Sequence, residues 1–178
     1  MLVKVQIASI IALACGYSLF AQQPPKSPNA SAADSIVKAP DGTIFTSMTL
    51  EQFQKILQAM GFECTRNKDT SGKDEEYFTF RAEGYKVAAF VPDPTFLELY
   101  NAFTDVGLTP AIVNEWNQMN RFSRAYVDRD GNATLEDDLI LSGGVTRENV
   151  EMFVKTFRDT VSRWARFAID HQSKDAKK

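Results

Sequence analysis

The stretch from Phe78 to Val91 constrains the fold most. Phe78, Phe80 and Ala82 recur at every second position and so line one face of a strand. Val87, Ala89 and Val91 resume that spacing after Glu83-Gly84, a two-residue turn in which Gly accepts the positive φ that tight hairpins require. Two strands joined this tightly must pair antiparallel, and their shared apolar face needs a cover. Pro92-Asp93-Pro94 is expected to end the second strand.

Helical patterns on either side supply that cover. Leu50, Phe53, Ile56, Leu57 and Met60 recur at helical intervals, Thr49 to Gln52 has capping-box spacing, and Gly61 supplies the stop. Phe62 and Cys64 then alternate as a short strand, which the polar turn from Asn67 to Lys73 should end. Phe96 to Phe103 is open between strand and helix, and its aromatic content favours a strand. Thr109-Pro110 opens a second helix with Ile112, Val113, Trp116 and Met119 as its apolar stripe. A second hairpin, Phe122 to Asp128 and Ala133 to Leu141, turns at Asp130-Gly131. Gly143-Gly144 leads to Thr146, the cap of a third helix striped by Val150, Phe153, Val154, Phe157, Val161, Trp164 and Phe167. The order α-β-β-β-(β)-α-β-β-α predicts an α+β domain, an antiparallel meander sheet with flanking helices.

The ends of the 178-residue chain read differently. Lys4, an uncharged apolar run from Val5 to Phe20, and small residues before Gln22-Gln23-Pro24-Pro25 give the order of a secretory signal over residues 1–21. Cleavage near Ala21 would leave a periplasmic or secreted protein. A cut before Cys15 would instead leave a lipidated cysteine and a membrane anchor. Residues 22–43, rich in Pro, Ser and Ala, read as a flexible linker; 44–170 form the domain and 171–178 a polar tail. Removing residues 1–21 leaves 19 basic against 23 acidic residues, a balance that offers no attraction to nucleic acid. Cys64 would then have no partner cysteine within the chain, and reads as a small buried hydrophobe.

No pattern amounts to a catalytic site. Asp128-x-Asp130-x-Asn132 resembles the start of a calcium loop, but Ala133 and Leu139 stand where glycine and the bidentate glutamate are needed, so no metal is expected. Glu136, Asp137 and Asp138 on a strand point alternately to opposite faces, and read as a solvated strand edge kept apart from other edges by charge. His171, the one histidine, lies in the tail, where nothing is expected to hold it beside a nucleophile. Gly143-Gly144 has neither the spacing nor the lysine of a phosphate loop, and is read as a tight turn rather than an anion cradle. No cofactor is expected.

The stretch Asn114-Glu115-Trp116-Asn117-Gln118-Met119-Asn120-Arg121-Phe122 is unusual, because Asn is a poor helix former and three in one short helix need a reason. Asn114, Asn117 and Arg121 lie on one flank of the Trp116 stripe. One reading has these amides tie the helix to loops or strand edges. The other makes Asn114, Trp116, Asn117 and Arg121 a partner-binding strip beside an aromatic anchor.

Asn114-Glu115-Trp116-Asn117, Arg121-Phe122-Ser123-Arg124-Ala125-Tyr126-Val127-Asp128, Glu136-Asp137-Asp138-Leu139 and Gly143-Gly144-Val145-Thr146, in this order and spacing, resemble the YbjN family of bacterial sensory-transduction regulators. The resemblance covers roughly Thr46 to Phe167. It implies a fold similar to the type III secretion chaperones, whose sheet and helices bind partner segments and commonly dimerise. The expectation is therefore a non-enzymatic binding or chaperone-like module of the envelope, with a protein partner and a homodimer as its forms of association. The alternative is a small-ligand sensor with a pocket between the sheet and the third helix, under Trp164 and Phe157.

Overall fold

The computed structural model describes residues 42–68 and 75–172. The expected signal with Cys15, the linker up to residue 41 and the tail from residue 173 lie outside the described residues. No described helix is long and apolar enough to cross a membrane.

Helix α1 (Leu50–Ala59) starts where Thr49 accepts a bond from the Gln52 N–H while Gln52 returns one to the Thr49 N–H at 2.8 Å. That reciprocal cap satisfies two otherwise orphaned donors. Its Phe53, Ile56 and Leu57 face the core. Strand β2 (Thr65–Lys68) begins after Cys64, so the expected strand through Phe62 and Cys64 is a connection instead. Both side chains still pack against the core, which explains their alternating apolarity without a strand ladder. Asn67 and Lys68 belong to the strand rather than to the turn.

Strands β3 (Glu76–Ala82) and β4 (Tyr85–Asp93) form the hairpin, with Glu83 at φ 51 and Gly84 at φ 86. Both central turn residues thus adopt positive φ, the form that matches strand twist. Pro92 does not end β4; it lies in an irregular stretch between Phe90 and Asp93, where a missing N–H costs no ladder bond. Asp93 accepts bonds from the Thr95 N–H and hydroxyl, closing the turn into β5 (Phe96–Phe103). Helix α2 (Pro110–Met119), capped by Thr109, leads to β6 (Arg124–Val127) and β7 (Ala133–Ile140). Helix α3 (Arg147–Asp170) is capped reciprocally by Thr146 and Asn149.

The six-stranded antiparallel sheet runs β2-β3-β4-β5-β7-β6. The meander holds through β5; the last hairpin then enters with β7 beside β5 and β6 outermost. Glu136 is therefore covered by β6 and is not at an edge, whereas Asp137 and Asp138 lie past the last β6 partner, Arg124, on a free end of β7 where Asp138 is exposed. A small ladder absent from the sequence expectation joins β1 (Ile44–Phe45) to β8 (Val145–Thr146). Gly144 is needed there: at φ 96, an added Cβ would stand 2.7 Å from the Ile44 Cγ2.

All three helices contribute to one core, on one face of the sheet. Phe80, Val87, Ala89, Leu97, Leu99 and Leu135 meet Phe53, Leu57, Val113, Trp116, Val154, Phe157, Val161 and Trp164. Each such buried Val, Leu or Phe side chain is worth about 1.5–3 kcal/mol of transfer free energy. Met119 departs from its expected place in the stripe; it is 69% exposed.

Candidate functional site

Register fixes what the other face of the sheet carries, because directly paired residues point the same way. One row across the strands holds Tyr77, Phe90, Glu98 and Asp138, with Phe90↔Glu98 and Glu98↔Asp138 paired. The next holds Thr79, Ala88, Tyr100, Glu136 and Arg124, and a third Lys86, Ala102, Thr134 and Tyr126. Phe96 and Ile140 pair at the end of β5, and Ile140 is 68% exposed. Tyr77, Phe90, Phe96, Tyr100 and Tyr126 are half-buried, whereas the alternate residues Leu97 and Leu99 are fully buried in the core. An antiparallel sheet with one solvated face usually shows polar residues there. This face is instead rich in aromatic rings, the side chains that dominate interfaces. A depression of about 260 Å³ opens on it between Tyr77, Ala88, Phe90 and Tyr100.

Carboxylates sharpen its chemistry. Glu136 is 8% exposed, pairs with Arg124 and accepts a bond from the Tyr126 hydroxyl at 2.6 Å. Burial and that carboxylate push the Tyr126 phenol away from ionisation. Burial, with Glu136, Asp138 and Glu75 nearby, raises Glu98 to about 7. Asp138 is raised by burial and by Glu136. Asp137 points to the core side, where burial raises it to about 6. Removing water disfavours the charged form in each case.

The strip expected on α2 divides. Trp116 is 3% exposed, its ring 5.2 Å from Trp164 and 5.4 Å from Phe167. It is thus a core side chain and no surface anchor, because the α2 face it occupies closes against α3. Asn117 bonds both backbone groups of Ala125, tying α2 to the outer strand β6. Asn120 caps the helix end on the Trp116 carbonyl and accepts from Arg163. Asn114 and Arg121 are exposed. Beside Arg121, Phe122 is 71% exposed and holds φ 63.

Asp128 accepts bonds from the Asp130 and Asn132 N–H groups and from the Asn132 side chain, which hold its carboxyl low and make it the organiser of a hairpin turn. Among the described residues no group of three Asp, Glu, His or Cys side chains converges as a metal ion needs. His171 is held after all: its ring stacks 4.1 Å from Phe167 and its Nδ1 lies 2.9 Å from the Phe167 carbonyl, which also accepts the His171 backbone N–H at 3.1 Å. Trp164 and Phe157, where the sensor pocket was expected, are fully buried, with Trp164 stacked on Phe167, and neither lines the depression on the open face. A second depression of about 580 Å³ lies elsewhere, lined by Gly61, Phe62, Thr65, Arg81 and Lys86 among others. Cys64 is half-buried and burial raises its thiol.

An α+β domain of this order, with helices on one face of the sheet and an aromatic face left open, defines the class of protein. The model of the YbjN family, described as "Putative bacterial sensory transduction regulator", matches residues 49–169, and the chain belongs to that family. No curated protein matches the sequence. Among solved structures, the chain is similar to the Yersinia pestis type III secretion chaperone SycH, crystallised in complex with a stable fragment of YscM2. That likeness has 11% identity and a TM-score of 0.44, over 64% of this chain and 97% of the other.

Proposed function

We propose that this domain is a non-enzymatic, protein-binding regulatory module that holds a segment of a partner protein against the open face of its sheet, in the bacterial envelope. The observation that carries the reading is the aromatic open face, where Tyr77, Phe90, Tyr100 and Tyr126 stand half-buried opposite a helix-packed core. Burying such rings on a partner is a strong source of binding free energy. The family's regulatory description agrees with a binding role. The residue order of Met1–Ala21 supports export.

Binding is favoured over catalysis by what surrounds the raised carboxylates. The hydroxyl bonded to Glu136, that of Tyr126, is pushed away from ionisation, and His171 is engaged at the end of α3. A general base needs a nucleophile in reach, and these groups do not supply one.

Photo-crosslinkers placed at Phe90 and at Tyr100 in envelope-expressed protein test the reading, with Arg129 on the exposed turn as control. Adducts with a discrete protein from the two sheet positions, and none from the turn, are expected. An adduct between two copies would make the face a homodimer interface. A strict monomer by light scattering, with nothing captured from the face, sinks the proposal. Mass spectrometry of the mature N-terminus tests export separately: a free Gln22 is expected, and a lipid on Cys15 would replace the free form with an anchored one.

A further inference from the structure

One row of the open face sets π surfaces beside uncompensated negative charge. Tyr77 and Phe90 stack with centroids 4.8 Å apart and planes 23° apart. Glu98 pairs directly with Phe90 on one side and with Asp138 on the other. Among the described residues, no hydrogen bond reaches either the Glu98 or the Asp138 carboxylate. Arg124, the cation on that side of the face, is engaged with Glu136. Glu98 is half-buried and Asp138 exposed, and a partly desolvated carboxylate with no cation of its own gains from a counter-charge.

Building on the open-face reading, we infer that Glu98 and Asp138, beside the stacked Tyr77–Phe90 pair, form a subsite for an arginine or lysine side chain of the bound segment. A cationic side chain satisfies both halves of the row at once. Its apolar stem or guanidinium plane covers the rings, where cation–π attraction acts, and its charge meets the carboxylates. Arginine fits best, since a flat guanidinium can stack on a ring while its N–H groups fork onto a carboxylate. The rest of the face, from Ala88 to Tyr100 and Tyr126, accepts apolar or aromatic neighbours of that residue. The partner is therefore a segment that alternates aromatic or aliphatic residues with a basic one.

Amide-shift NMR of the whole exported chain, titrated with acetyl-Val-Tyr-Arg-Val-Phe-amide and with the same peptide carrying citrulline for arginine, tests this. The arginine peptide is expected to shift Phe90, Glu98 and Asp138. It should bind about tenfold more tightly than the citrulline peptide, a difference one charge pair can supply. Glu98→Gln and Asp138→Asn together should erase that preference, so that the two peptides bind the variant equally, and circular dichroism checks that the variant folds. Equal binding of both peptides on the face would overturn the cation subsite and leave the open-face reading standing. Shifts confined to the α2–β6 corner, or no saturable shift up to about 1 mM peptide, would overturn both. Exclusion of both peptides by self-association would make the second copy the occupant and overturn the subsite as stated.

Discussion

Asn117 holds both backbone groups of Ala125: its Nδ2 donates to the Ala125 carbonyl at 2.9 Å and its Oδ1 accepts from the Ala125 N–H at 3.0 Å. Strand β6 is outermost in the sheet, so this carboxamide stands where the backbone of an added strand would pair. An edge left bare invites pairing with another chain, and a helix laid over it with one well-aimed amide prevents that. The cost of Asn within a helix is offset by two bonds made to another element.

Asn117→Ala should therefore do two things. Losing the pair of bonds costs about 1–3 kcal/mol, read in urea unfolding, because the Ala125 groups lose their partners in a half-buried place. The freed edge should also give concentration-dependent association in light scattering. Asn117→Asp keeps the acceptor for the Ala125 N–H but sets a carboxylate against the carbonyl, and should be nearly as destabilising. A variant as stable and as monomeric as the parent would remove the edge-guarding role.

Phe122 is expected to behave in the opposite way. An aromatic residue at φ 63 carries backbone strain, and with 71% of its surface exposed little packing compensates. Phe122→Asn, which tolerates the left-handed region, should hold or raise stability, by about 1 kcal/mol at most. A loss of that size instead would mean that the ring packs in a way its exposure does not suggest.

Local features of this fold were legible and distant pairings were not. The caps at Thr49, Thr109 and Thr146 and the turn at Glu83-Gly84 follow from neighbouring residues, and the structure has each of them. The placement of β7 between β5 and β6 depends on partners far apart in sequence, and alternation alone says nothing about which strand lies next. For that reason Glu136 read as part of a solvated edge although β6 covers it, and Glu98 did not stand out. The row from Tyr77 to Asp138 exists only once register is known. Trp116 illustrates the reverse error: its helical stripe was visible, but which flank of α2 meets α3 was not.

Trp116 should behave as a core side chain. Its indole packs against Trp164 and Phe167, while its Nε1 is buried without a hydrogen-bond partner. Trp116→Ala should cost about 3–5 kcal/mol, as for other large core rings. Trp116→Phe keeps a ring against Trp164 and removes the unpaired N–H, so its cost should stay below about 1.5 kcal/mol. If Trp116→Ala left urea unfolding unchanged, the ring would not be part of the core.

Glu98 gives the domain an expected pH dependence of defined sign. Its carboxyl is raised to about 7, chiefly by burial and then by Glu136 and Asp138, with Glu75 adding to the effect and Arg124 opposing it. The folded state thus holds a proton that the unfolded chain has already released, so Glu98 makes the fold less stable as pH rises from about 4.5 towards 7. Asp137, raised to about 6, acts in the same direction. Asp93 and Asp128, both held low by hydrogen bonds, oppose it only in more acid solution, where protonating them costs native bonds. Urea midpoints should therefore fall between pH 5 and pH 8, and Glu98→Gln should flatten that fall and raise the midpoint at pH 8. A cation seated on the Glu98–Asp138 row favours the ionised form, so the arginine peptide should lower the Glu98 titration midpoint seen by NMR and bind more weakly at pH 5 than at pH 8. A Glu98 that titrates in the ordinary carboxylate range, unmoved by the peptide, would contradict both the crowding on this row and the ligand inferred from it.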